Sequence, residues 1–200
     1  MRMAEIPFEC EVIPFGEGMG TADYAGTPRI REVSPSGKVP VLHHGDLVVP
    51  DSLAILEYLA ELFPDRRLWP EERKRRARAR AISAEMHSGF AALRRECGMN
   101  MGRAPRRKDV SGAVLEDVAR IDEIWNRALE ASGGPFLFGE RFCIADAMYA
   151  PVVNRFHVYD LPRSAVAQAY MDAVMALPAW REWEKEARAE PWLIPAYENL

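Results

Sequence analysis

A turn of small residues, Ser36-Gly37-Lys38, runs into Val39-Pro40-Val41-Leu42, and ten positions after Pro40 a second proline opens Pro50-Asp51-Ser52-Leu53-Ala54. The two prolines constrain everything between them. Proline has no N–H to donate, so each marks the end of a paired strand rather than its middle. Two apolar segments, Val39–Leu42 and Leu47–Val49, therefore form a hairpin around His44-Gly45-Asp46, where Gly-Asp supplies the turn chemistry. Asp51 and Ser52 are residues that start helices. The helix they open runs from Asp51 to Phe63, with Leu53, Leu56, Leu59 and Leu62–Phe63 on its apolar side.

Upstream, Phe8, Cys10 and Val12 alternate with Glu9 and Glu11, the period of a half-buried strand that ends at Pro14. On that strand the Cys10 side chain turns toward the core and packs. Residues 16–36 read as a loop with a helical turn near Thr27–Val33. Pro64 and Pro70 bracket a connector, giving a small α/β domain over 1–64 and a second domain over 71–200. The second is all helix. Ile82, Met86, Phe90, Leu93 and Cys97 repeat at helical spacing, as do Val114, Val118, Ile121, Trp125 and Leu129, and further helices fit Cys143–Tyr159, Ser164–Ala176 and Pro178–Ala189.

Charge and composition narrow the partners. A net charge of -4 gives no general case for nucleic acid or an anionic membrane surface. No apolar run approaches the ~20 residues of a membrane helix, and the start lacks a signal peptide's apolar stretch. Three scattered cysteines, Cys10, Cys97 and Cys143, fit free thiols in a reducing cytoplasm. His43 and His44 are adjacent on a strand, point to opposite faces and cannot share a metal; no metal is expected. The run of basic residues from Arg66 to Arg80 reads as a solvated helix start partly paired with Glu71 and Glu72. Trp125, Trp180, Trp183 and Trp192 read as core.

The order Lys38-Val39-Pro40, then Asp51-Ser52, resembles the glutathione-binding half of the cytosolic glutathione S-transferases. The resemblance covers nearly the whole chain and implies a thioredoxin-like α/β domain followed by an all-helical one. It implies a cis Val39–Pro40 peptide that turns the Val39 backbone toward the cysteinyl unit of glutathione. Lys38 is placed for the glycyl carboxylate, Asp51 for the ligand's ammonium, and Ser52 with the helix start for the other carboxylate. Asp51-Ser52 departs mildly from the commoner Glu-Ser or Gln-Ser. Phe138-Gly139-Glu140-Arg141-Phe142-Cys143-Ile144-Ala145-Asp146 resembles the family's capping box, with Cys143 where a hydroxyl is usual. Met86-His87-Ser88-Gly89-Phe90 and Glu190-Pro191-Trp192 look like a bacterial subgroup akin to the zeta class, which includes maleylacetoacetate isomerases.

The same resemblance implies one strand and most of one helix ahead of Met1, so that the α/β domain here is incomplete and its first strand missing. A catalytic Ser would lie some twenty residues upstream, in a natural protein longer than this chain, the alternative being a true truncation; no catalytic residue is assigned within the chain. His87 and Arg94 are the candidates for contacts with the electrophile. The reading is a glutathione S-transferase-like, cytoplasmic homodimer. It holds glutathione as co-substrate and either conjugates it to a small electrophile or uses it in an isomerisation. The rival is a non-catalytic glutathione-binding or scaffold protein. A thiol-disulfide oxidoreductase is disfavoured, since the chain has no Cys-x-x-Cys.

Overall fold

The structure, a computed structural model, describes residues 1–14 and 28–191. The loop expected over 16–27 and the core role expected of Trp192 lie outside the described residues. The chain divides into two compact units, with the division falling between Arg67 and Leu68.

In the first unit a 3-10 turn at Arg2–Ala4 precedes an extended stretch, then helix α1 (Pro28–Val33), strands β1 (Val41–His44) and β2 (Leu47–Pro50), and helix α2 (Ser52–Leu62). The strands form an antiparallel hairpin with Val41 opposite Pro50 and His44 opposite Leu47. Gly45, at φ 62°, supplies the positive φ that a two-residue hairpin loop needs at its first position. The strand begins one residue beyond Pro40 and continues through both histidines to that turn. His43 Nε2 donates to the Val33 carbonyl at the end of α1 (2.8 Å), whereas His44 Nδ1 lies 2.6 Å from the Tyr58 hydroxyl on α2. Each histidine is thus held by a different helix.

Three expectations for this unit are corrected. Phe8–Val12 is not a strand: it pairs with no strand among the described residues, and Phe8 and Val12 are exposed. An alternating pattern is only half the requirement; without a neighbour to take its N–H and C=O groups, water takes them. Cys10 is accordingly exposed rather than packed. On α2 the buried residues are Ile55 and Leu59, four apart, and Leu62 is exposed. The leucines outnumber the isoleucine, but the i, i+4 stripe through Ile55 is the one that faces inward.

The second unit is helical: α3 (Arg73–Ser88), α4 (Ala91–Glu96), α5 (Gly112–Ser132), α6 (Ile144–Val158), α7 (Ala165–Met175) and α8 (Pro178–Ala189). The stripe on α5 is buried as the spacing predicts, at Val114, Val118, Ile121, Trp125 and Leu129. Trp125 is the centre of the core, with the rings of Phe156, Tyr170 and Tyr149 at 5.0, 5.1 and 5.8 Å. Trp180 is buried and meets Trp183 edge to face. Ser164 caps α7 and ties it to α5, its N–H and hydroxyl both donating to Asp122 at 2.9 Å.

The periodicity from Ile82 to Cys97 predicts one helix, and the structure breaks it. Helix α3 ends at Ser88, Phe90 takes a left-handed conformation (φ 58°), and α4 starts at Ala91. Gly89 permits the break, because a Cβ there would stand 2.6 Å from the Glu85 carbonyl oxygen. Gly89→Ala is expected to cost about 1–3 kcal/mol through overpacking. That lowers the thermal midpoint, read by circular dichroism, by several degrees. An unmoved midpoint would mean that the backbone yields freely at this position.

The capping box at the start of α6 is present. The Cys143 N–H donates to Asp146 Oδ2 (2.8 Å), and the Cys143 sulfur accepts from the Asp146 backbone. The second carboxylate oxygen of Asp146 accepts from the Leu137 N–H (3.0 Å), so one buried side chain fixes both the helix start and the preceding turn.

Candidate glutathione site

The first unit brings the two halves of the predicted motif together through one hydrogen bond. The Asp51 N–H donates to the Pro40 carbonyl (3.2 Å), continuing the hairpin ladder one step past its last paired residues. The Val39–Pro40 peptide is cis, as the resemblance implies. Val39 lies beyond the end of that ladder and is 46% exposed. Among the described residues nothing hydrogen-bonds its backbone N–H or carbonyl. An unpaired donor and acceptor at a sheet's edge can hold an extended peptide in the manner of a further strand.

The preceding turn is closed by hydrogen bonds. Gly37 has φ 64° and its N–H donates to the Ser34 carbonyl (3.0 Å). The Ser36 hydroxyl lies 3.1 Å from the buried Ser34 hydroxyl and accepts from the Lys38 N–H (3.3 Å). These bonds fix the backbone from which the exposed Lys38 side chain extends, beside Val39.

On the other side, Asp51 caps α2. Its Oδ1 accepts from the N–H groups of Leu53 (2.9 Å) and Ala54 (3.2 Å). This refines what the helix start can offer a carboxylate, since two of its amides are already engaged. Ser52 supplies what remains: neither its N–H nor its hydroxyl has a hydrogen-bond partner among the described residues, and it is half-buried at the first helical position.

Asp51 also sits at φ 83° and ψ 133°, a conformation sparsely used by any residue with a side chain. Such strain costs on the order of 1–3 kcal/mol and persists where surrounding structure holds it, commonly at binding sites. The sequence carried no signal for it. The residue so held donates the last ladder bond and caps the first turn of the helix.

In the second unit, His87 lies on the last turn of α3 and Arg94 on α4, on either side of the Gly89–Phe90 break. The break folds Arg94 back, and its Nη2 donates to the carbonyl of Met86, next to His87 (2.8 Å). Arg94 is thus held against the residue that precedes His87. Part of Arg94's donor capacity goes to closing the end of α3, a structural duty that sequence reasoning did not assign.

The two buried thiols are unsuited to nucleophilic chemistry. Burial pushes the Cys143 thiol well above its ordinary range, with the neighbouring Asp146 adding to the shift, and burial likewise raises Cys97. Among the described residues no group of three or more His, Cys, Asp or Glu side chains is arranged to hold a metal ion. No described helix is long and apolar enough to cross a membrane.

The family model for the glutathione S-transferase C-terminal domain matches residues 75–186, and that for the N-terminal domain matches residues 1–62. The chain belongs to the glutathione S-transferase family. Its architecture, a small α/β unit and an all-helical unit, is the fold of that family, thioredoxin-like followed by all-α.

Among curated relatives, the chain is 28% identical over 165 residues to a probable maleylacetoacetate isomerase of Caenorhabditis elegans, covering 76% of this chain and 72% of the relative. It is 26% identical over 160 residues to glutathione S-transferase Z2 of Arabidopsis thaliana, covering 76% and 70%. Among solved structures, a glutathione transferase homolog from Burkholderia gl BGR1 with bound glutathione shares 25% identity, with a TM-score of 0.62 over 82% of this chain and 80% of that one. The theta class transferase of Xanthomonas axonopodis pv. citri with glutathione bound shares 26% identity and a TM-score of 0.57, covering 79% and 77%. The zeta-like relationship of this transferase-family chain accords with its isomerase and Z-class relatives.

Proposed function

We propose that this chain binds glutathione as co-substrate at Lys38, Val39, Pro40, Asp51 and Ser52, and serves its transfer to a small electrophile or a glutathione-dependent isomerisation. The observation that carries the reading is the Asp51 N–H to Pro40 carbonyl bond, which sets an unpaired backbone edge beside a helix start with an unused hydroxyl and amide. An extended tripeptide with a carboxylate at each end needs this combination. Val39 pairs with its cysteinyl backbone. Ser52 donates to the carboxylate next to the ammonium, the Asp51 carboxylate takes the ammonium, and Lys38 meets the glycyl carboxylate. His87 and Arg94 contact the electrophile.

The reaction requires the thiol to ionise, and each pKa unit of lowering corresponds to about 1.4 kcal/mol of thiolate stabilisation. The protein works as a cytoplasmic homodimer in this reading.

Calorimetric titration with glutathione tests it, with S-methylglutathione as a ligand that keeps the peptide and lacks the thiol. Both should bind, and Lys38→Ala should weaken both by up to about fivefold, the loss of one exposed charged contact. No heat from either ligand would overturn the reading. Binding without turnover of an aryl halide or an isomerisable diene would leave the site in place and make the chain a glutathione-binding protein. Light scattering of the same sample reads the expected dimer.

A further inference from the structure

Residues 68–80 carry six basic and two acidic side chains, a net +4 within a chain whose net charge is -4. The structure sorts these cations into two sets. Arg76 turns inward and donates to the carbonyls of Pro70 (3.1 Å) and Glu71 (2.7 Å), and Arg80 lies over the Trp69 ring at 5.5 Å. Arg73, Lys74, Arg75 and Arg78 are exposed, and their side chains make no hydrogen bond or ion pair with any described residue.

Folding does not account for that second set. The four occupy the first two turns of α3, where the helix dipole is positive and cations are unfavourable. The basic residues elsewhere in the unit contrast with these. Lys108 donates to the Glu96 carbonyl (2.6 Å) and Arg155 to the Cys97 carbonyl (2.9 Å), so those cations complement helix C-termini as stability prefers.

We propose that the exposed start of α3 docks an acidic protein segment, with Arg73, Lys74, Arg75 and Arg78 pairing with its carboxylates. Three of the four are arginines, whose planar forks match carboxylates in pairs of parallel bonds. Two observations favour a peptide over a nucleic acid. Glu72 already takes the amides of Lys74 (2.7 Å) and Arg75 (2.8 Å) and sets its own carboxylate at the helix start, so a phosphate meets fewer backbone donors and a like charge there. The rest of the chain carries a net -8 and repels a long polyanion, whereas a short segment meets only the patch. A membrane surface is disfavoured because residues 71–78 expose no apolar side chain larger than Ala77 to insert.

The test is fluorescence anisotropy with a labelled poly-glutamate peptide of about ten residues, beside single-stranded DNA of similar length and phosphatidylserine vesicles. The peptide should bind at low salt and lose about tenfold in affinity when ionic strength rises from about 50 to 200 mM. The variant Arg73→Gln/Lys74→Gln/Arg75→Gln/Arg78→Gln should lose about tenfold or more, while Arg106→Gln/Arg107→Gln in the same unit should not. The quadruple variant should also melt no lower than the parent, since it removes cations from a positive helix end. Equal peptide affinity in the quadruple variant overturns the proposal. So does tighter binding of DNA or vesicles than of the peptide, or a fall in thermal midpoint showing that the four residues serve the fold.

Discussion

Asp146→Ala is expected to be the most damaging single substitution in the helical unit, with a large fall in the unfolding midpoint. The carboxylate is fully buried and holds two backbone amides, those of Cys143 (2.8 Å) and Leu137 (3.0 Å). Truncation strands both in the core. At about 1–3 kcal/mol for each unsatisfied buried donor, the loss is about 2–6 kcal/mol, against a total of about 5–15 for a typical domain. Denaturant unfolding monitored by tryptophan fluorescence, with Trp125 in the same core, reads it directly. A midpoint within the error of the parent would mean that water replaces the carboxylate.

The milder Asp146→Asn carries a pH signature. Burial raises the Asp146 carboxyl above the ordinary carboxylate value, opposed by the N–H bonds from Leu137 and Cys143. The native state therefore binds this proton more readily than the unfolded chain does. Its contribution to stability is greatest below the unfolded value of about 4 and falls as pH rises through the native value. The stability advantage of the parent over Asp146→Asn should therefore be greatest near about pH 2, where the carboxyl is protonated in both states, and narrow as pH rises through about 4 and beyond. An advantage that widens with pH would mean that the amide bonds outweigh burial.

How much of this was legible in the residues depends on whether the determining interaction was local. The hairpin, the cap at Asp51 and the helix after it were readable, because proline positions, a Gly-Asp turn and a capping residue act within a few residues of themselves. The stripe on α5 and the Cys143–Asp146 box were readable for the same reason. The failures were non-local. Phe8–Val12 has a strand's alternation, but pairing depends on a partner that the pattern cannot name. The helix from Ile82 to Cys97 kept its period across Gly89, and the break appears only once the backbone is seen to pass so close to the Glu85 carbonyl. For the site, the residue types and their order were legible. Two things were not: that Asp51 spends its own oxygen on the helix amides, and that it does so from a strained backbone.

That last point makes Ser52→Ala the sharpest test of the site. Asp51 has taken the amides of Leu53 and Ala54, so a bound carboxylate at this helix start depends on Ser52 for both a hydroxyl and an N–H. Removing the hydroxyl deletes one charge-assisted hydrogen bond, worth about 1.5–3 kcal/mol, and should raise the dissociation constant for glutathione by about 10- to 150-fold. The fold should not notice: the hydroxyl has no partner among the described residues, so the thermal midpoint of Ser52→Ala should match the parent's. Asp51→Ala differs on that readout, because losing the cap costs about 0.5–2 kcal/mol and lowers the midpoint together with the affinity. In an active form, Ser52→Ala should raise KM for glutathione with kcat nearly unchanged, since a group that grips the carboxylate end stabilises ground and transition states alike. Unchanged affinity in Ser52→Ala would move the carboxylate elsewhere and remove this helix start from the site. A fall in kcat alone would place Ser52 near the sulfur, where the geometry argued from Pro40 and Asp51 does not put it.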